Sequence, residues 1–324
     1  MNHRLSTTLL ALLPSAALLT AAGLVSWSWR DDLPDPVATH FGADGADGFG
    51  SFGGFVGVLL AVFGAVAVIG WLIALLRGQS SITRRIGVGV AVGASAFGAS
   101  NLLGTLNASR GLSDATQVGT VDGVIAVSTL AGLALGALAA WAVPGDRPDP
   151  ARGSISGPRL PLSSHERAVW SQQVSSPVGL GVGGVTTVGM LVLAVVLRMP
   201  ALILIGVLLA ALLATMLVFR VTVDATGLRL RSALGWPRTH VPATEIVGVE
   251  VAQVSPFREF GGWGVRVGRG GEVGWVLRAG EAIRVLRTGG RDLVVTVPDA
   301  ATGAALLTTL AERAQDTDGA TPRT

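Results

Sequence analysis

Apolar residues fill six stretches of the chain without alternation, at about 5–27, 54–76, 86–106, 122–143, 177–197 and 200–219. Each run suits a helix across a hydrocarbon layer, which takes roughly 20 apolar residues. Lipid offers no partner for backbone N–H and C=O groups, so these runs must close their hydrogen bonds internally. Their continuity speaks for helices over barrel strands. After Arg220 the pattern changes to short alternating segments with Gly-bearing turns: Val221–Val223, Leu228–Arg231, Val247–Val254, Trp263–Val267, Val273–Leu277, Ala282–Leu286 and Leu293–Val297. Such segments read as strands. A last helix is expected from an Asp299 cap to about Ala314, with Leu306, Leu307 and Leu310 on its apolar face.

The expected fold is therefore an α-helical polytopic membrane protein with six transmembrane helices, followed by a small β-barrel or sandwich capped by one helix. A four-helix membrane domain spans 1–143, with a structured outer loop at 28–53. A cytoplasmic Pro/Gly/Ser linker at 144–176 carries a short interfacial helix that Ser164 caps and that places Arg167 and Trp170 at the headgroups. A transmembrane hairpin (177–219), the β-domain (220–315) and a disordered tail (316–324) complete the chain.

Composition sharpens this division. Charged residues make up only 14% of the chain, against about 25% in soluble domains. The deficit lies in windows that hold no Asp, Glu, Lys or Arg, namely 5–29, 48–76, 86–109, 123–145, 168–197 and 199–219. One soluble globule and a disordered chain are both excluded. All 24 basic residues are Arg and the net charge is only +3, so the basic usage is no sign of nucleic-acid binding. Lys-free, Ala/Gly/Val/Arg-heavy usage points to a bacterium with a G+C-rich genome. Without cysteine there are no disulfides, thiolate metal sites or cysteine nucleophiles.

The first apolar run exceeds a signal-peptide core of 7–15 residues, which favours a retained span over a cleaved leader. Arginine bias sets orientation. With the N-terminus inside, Arg4, Arg77, Arg84, Arg85, Arg147, Arg152, Arg159 and Arg167 fall on inner segments, against Arg30, Arg110 and Arg198 outside. The expected location is the bacterial inner (plasma) membrane with both termini cytoplasmic. Trp27 and Trp29 then mark the outer interface, and Trp71 and Trp141 the inner one.

The first outer loop has two prolines, Pro34 and Pro36, and two Asp-Gly pairs, Asp44-Gly45 and Asp47-Gly48, which favour an extended start and tight turns. His40 and Phe41 stand at its centre. The pattern Leu33-Pro34, Thr39-His40-Phe41, Gly45 and Asp47-Gly48-Phe49-Gly50-Ser51 between two spans resembles the membrane domain at the N-terminus of the SdpI-like family. That family includes immunity and signalling proteins against a sporulation-delaying cannibalism toxin. The likeness covers about residues 1–80, and Phe52 stands where the family pattern has Lys. It implies an outer loop that senses or blocks an extracellular peptide.

The β-region resembles a bacterial pleckstrin-homology-like domain in Gly261-Gly262-Trp263-Gly264-Val265-Arg266, Gly280-Glu281-Ala282, Gly290-Arg291 and Val294–Val297. In such proteins a Glu-Arg-x-x-Trp-like element and a two-helix hairpin precede the domain, as Glu166, Arg167 and Trp170 do here. This likeness implies a cytoplasmic protein partner, with Trp263 as a candidate docking residue. Arg229 and Arg231 alternate onto one strand face and are further docking candidates for anionic lipid or an acidic partner, although the mildly basic, mixed surface reads first as an ordinary solvated face.

His40 could tie its loop together, contact a peptide or join Asp31, Asp32, Asp35, Asp44 or Asp47 in a metal site. One His with turn aspartates falls short of the three or four convergent ligands a metal needs, so no metal or cofactor is expected. Gly89 with Gly93 and Gly132 with Gly136 read as helix packing. No span holds an ionisable residue in its interior, which disfavours ion-coupled transport and leaves a passive pore, gated or assembled by the C-terminal domain, as the alternative. Gly268-Arg269-Gly270-Gly271 joins two strands and reads as a turn, not a phosphate loop. Nothing assembles a nucleophile, base and oxyanion donors, so an enzyme is not expected.

Overall fold

The structure, a computed structural model, describes residues 3–163 and 165–319. It divides into two compact units, Met1–Gly145 with Val188–Gly206, and Asp146–Thr187 with Val207–Thr324.

The first unit is built on α1 (His3–Ser28), a hairpin of β1 (Val37–Gly42) and β2 (Gly45–Gly50), then α2 (Phe52–Leu76), α3 (Ser81–Ser109) and α4 (Asp122–Ala142). Its central helix is α3. Half of the apolar window of α3 is buried, against 17% for each of α1, α2 and α4. Its small residues explain this. Cβ atoms built at Gly93 and Gly132 would each lie 2.9 Å from the other's carbonyl oxygen, and Gly89 and Gly136 meet in the same way. Small residues let backbones approach where lipid offers no hydrophobic drive for association. Ser51 and Ser80 cap α2 and α3 by accepting from Gly54 N–H and Thr83 N–H. Arg84, buried, donates to the Gly78, Gln79 and Pro144 carbonyls, and Arg85 donates to the Val143 carbonyl. These arginines, counted above as orienting charges, also satisfy carbonyls at the ends of α2 and α4.

Strand β3 (Trp170–Ser175) leads into α5 (Pro177–Val196), and α6 (Pro200–Met216) leads back into the second unit. Among the described residues five helices, α1 to α5, are long and apolar enough to cross a membrane; α6 has 17 residues and is shorter. The expected sixth span to 219 is thus truncated, because β4 (Val218–Asp224) takes its last residues into a sheet.

The strands that follow are β5 (Gly227–Ser232), β6 (Arg238–Pro242) and β7 (Ile246–Val254). After α7 (Pro256–Phe260) come β8 (Gly264–Val267), β9 (Val273–Val276), β10 (Gly280–Arg287), β11 (Leu293–Thr296) and α8 (Ala300–Gly319). One sheet is the antiparallel series β3-β4-β5-β6; the other is ordered β7-β10-β11-β9-β8, with β9 and β11 parallel. Phe219 of β4 meets Trp275 of β9 edge-on at 4.5 Å, joining the two sheets' inner faces. Leu306, Leu307 and Leu310 of α8 are buried, as expected of its apolar face.

Three expectations for this region change. Trp170–Ser175 is a strand, not an interfacial helix, since it pairs residue for residue with Val218–Val223; the Ser164 cap lies outside the described residues. The 144–176 linker is anchored along the β-unit: Ser156 bridges Gly248 of β7, and Arg159 forms an ion pair with Glu312 at 2.5 Å. Helix α8 continues to Gly319, past the expected tail boundary at 316.

Asp299 does cap α8. The Thr302 hydroxyl donates to its carboxylate at 2.7 Å and the Trp170 indole at 3.4 Å. Bonding from Thr302, opposed by desolvation and aided by Trp170, holds the carboxyl below its ordinary pKa. A carboxyl depressed in the folded state stabilises the fold above its unfolded pKa, and that contribution fades as pH falls through the folded value. Thermal melts should therefore show the full gap between wild type and Asp299→Asn at neutral pH, and a shrinking gap below about pH 4. A pH-independent gap would refute this role.

Candidate functional site

The segment between α1 and α2 is a folded platform. After α1 a 3-10 turn spans Arg30–Asp32. Leu33 then packs with Trp29 against the buried cluster of Ala22, Ala99, Leu102 and Leu106, and Pro34 is buried beyond it. Strands β1 and β2 pair antiparallel, with irregular register on either side of His40. Asp44 lies in the turn, and Gly45 follows at φ +127°, a conformation that favours glycine. Asp47-Gly48, expected as a second turn, lies within β2. Gly48 is opposite His40, where an added Cβ would come within 2.7 Å of the His40 Cβ. Gly50 packs similarly beside Thr39.

A second segment, between α3 and α4, locks this hairpin in place. Ala46 N–H donates to the Val118 carbonyl at 3.0 Å, and Ala38, Ala115 and Val118 form a buried cluster that Phe41, Ala46 and Leu112 extend. Arg110 pairs with Asp32 at 3.0 Å and its guanidinium lies 4.6 Å from the Trp29 ring centroid. Thr116, by backbone and then side-chain bonding, holds the Asp114 carboxyl below its usual range. Sequence reasoning missed this clamp. Arg110 was the available signal, but it reads equally well as an outer-loop charge.

On the free side of the hairpin, His40 Nδ1 and Asp47 Oδ1 are 2.5 Å apart, with side chains 75% and 54% exposed. Phe49 is also exposed on β2. The pairing through Nδ1 leaves Nε2 directed away from Asp47 as a donor or acceptor, a polar handle fixed by the carboxylate. Among the described residues no three His, Asp or Glu side chains converge as a metal site would require. The arrangement can bind a peptide's polar groups by hydrogen bonds.

The C-terminal candidates are not brought together as one site. Arg229 donates to the Thr226 hydroxyl at 2.8 Å and pairs with Asp224 at 3.4 Å. Arg231, also on β5, is exposed. Trp263 precedes β8 in the other sheet and packs edge-on against Phe257 at 4.8 Å, while β8 itself begins at Gly264. No family model, curated protein or solved structure matches the chain.

Proposed function

We propose that this is an inner-membrane sensor or immunity protein whose β1–β2 platform faces outward and engages an extracellular peptide. Its C-terminal β-unit, read as pleckstrin-homology-like, faces the cytoplasm and docks a protein partner. The observation that carries the reading is the exposed His40–Asp47 pair, mounted on a hairpin that buried contacts from a second loop hold in place. An irregular hairpin serving only as a connection between helices has no need of such a clamp. An exposed polar pair on a fixed support is what recognition asks for, since preorganised groups lose little freedom on binding. Gly89, Gly93, Gly132 and Gly136, which a pore could use to line a passage, are instead engaged in packing α3 against α4.

The test compares a deletion strain, a His40→Ala strain and wild type across secreted peptide toxins and envelope stress. His40→Ala should reproduce the deletion's sensitivity while the protein's abundance and thermal midpoint stay unchanged, because an exposed ion pair contributes only about 0–1 kcal/mol. If both strains match wild type throughout, the reading fails. Orientation is checked in the same strains: a single cysteine replacing Asp44 should react with an impermeant maleimide in intact cells, and one replacing Gly153 should not.

A further inference from the structure

The outward face of sheet β3–β6 carries a row of arginines with no counter-charge. Arg220 on β4 stands beside Arg231 on β5, and Arg231 beside Arg238 on β6, all three exposed. Directly opposed residues have Cβ atoms about 4.5–5.5 Å apart, and like charges in such positions repel. Among the described residues none of the three pairs with a carboxylate. The neighbouring row is neutralised, since Arg229 pairs with Asp224 and His240 Nε2 lies 3.0 Å from the Thr226 carbonyl. Only the first row calls for an external anion.

Its place in the unit says which anion. Arg220 pairs with Gln173, and β3 runs from there into α5 at Pro177. At about 3.3 Å per strand residue, Gln173, at the Arg220 end of the row, lies ~13 Å from the start of that apolar helix. The β5–β6 tip folds back beside Val218, through Ala233 N–H to the Val218 carbonyl at 2.9 Å, and exposes Leu234 (65%) and Trp236 (69%). Indole and leucine suit the boundary between headgroups and acyl chains, and guanidinium groups suit phosphate.

We propose that Arg220, Arg231 and Arg238, with Leu234 and Trp236, dock on the phosphate headgroups of anionic phospholipids in the bilayer that α5 enters. This holds the β-unit flat against the membrane and is independent of the role of His40. The chain lacks cysteine, so one fluorophore on Ala233→Cys reports the tip alone. The full-length protein is placed in phosphatidylcholine vesicles with or without about a third phosphatidylglycerol, and quenching by headgroup spin-labelled lipid is read. Quenching should be at least about threefold stronger with phosphatidylglycerol and should fall at about 0.5 M salt, where screening is short-ranged. The R220Q/R231Q/R238Q variant should lose it, Arg229→Gln should keep it, and a label on Ala225→Cys at the far hairpin should show none. The salt arm uses the unsubstituted arginines and does not depend on how the variant folds. Equal quenching in both lipids, quenching that survives the triple substitution, or release by millimolar inorganic phosphate at constant ionic strength would overturn the proposal.

Discussion

Replacing Glu245 with alanine destabilises the C-terminal unit by about 3–5 kcal/mol, the expected cost of breaking a buried ion pair from one side. Glu245 sits in the turn between β6 and β7, 6% exposed at its side chain, and accepts from Arg287 at 2.6 Å. Arg291 approaches the same oxygen at 3.5 Å, and both arginine side chains are at most 10% exposed. The carboxylate also accepts from the Asp149 N–H, while Arg291 donates to the Arg147 carbonyl. One carboxylate therefore neutralises two buried guanidinium groups and holds the 146–149 segment against the sheets. Asp149, 3.8 Å from Arg291 and 59% exposed, is a poor substitute for it. Arg159→Ala is the comparison, since its ion pair with Glu312 is more exposed and such pairs contribute little. The two units need not melt together, so the readout should be local. Limited proteolysis within 146–163, followed with temperature, reports this unit. A shift of roughly 10 °C is expected for Glu245→Ala. Equal midpoints for the two variants would remove Glu245 from this role.

That cluster was invisible in the sequence, because Glu245 and Arg287 are 42 residues apart and nothing local pairs them. The helices were legible because a charge-free run fixes an element by itself, without reference to a partner. Where two elements compete for the same residues, the run misleads: Leu217–Phe219 is apolar enough to extend α6, yet Val218 and Phe219 are more usefully paired in β4. Strand β3 escaped for a related reason. Trp170 and Val174 are its only buried residues, a spacing of four that suits a helix as well as a strand, and its partner β4 lies beyond the whole α5–α6 hairpin. In β6 only Val241 is buried, and Pro237 just before it reads as a break. At the candidate site His40 was legible as the centre of a shaped loop with five aspartates near it, but not Asp47 as its partner, because the expected Asp47-Gly48 turn is part of β2. The support from Leu112, Ala115 and Val118 was not, since it comes from a segment some 70 residues further on with no matching pattern.

Gly87→Leu should disrupt the four-helix unit more than any conservative change on its lipid-facing surface. Gly87 of α3 and Gly70 of α2 form a contact at which those helices meet backbone to backbone. A Cβ at Gly87 would be 2.4 Å from the Gly70 carbonyl oxygen and 2.7 Å from the Ala74 Cβ, and one at Gly70 would be 2.7 Å from the Gly87 oxygen. The obstacle is backbone on both sides, so no rotamer change relieves it; the helices must part. Overpacking a core typically costs about 1–3 kcal/mol and sometimes more. Here the loss extends to neighbouring contacts, because close packing is a main source of helix association in lipid. The sign is separable from helix propensity. Alanine is favoured over glycine within a helix by up to about 1 kcal/mol, and Gly57 of α2 has open space where its Cβ would be. Gly57→Ala should then hold or raise the thermal midpoint of the detergent-solubilised protein. Gly87→Ala should lower it despite the same propensity gain, and Gly87→Leu should lower it further or leave the protein aggregated. A Gly87→Leu protein that runs as one species and melts with wild type would show that α2 and α3 do not rely on this contact.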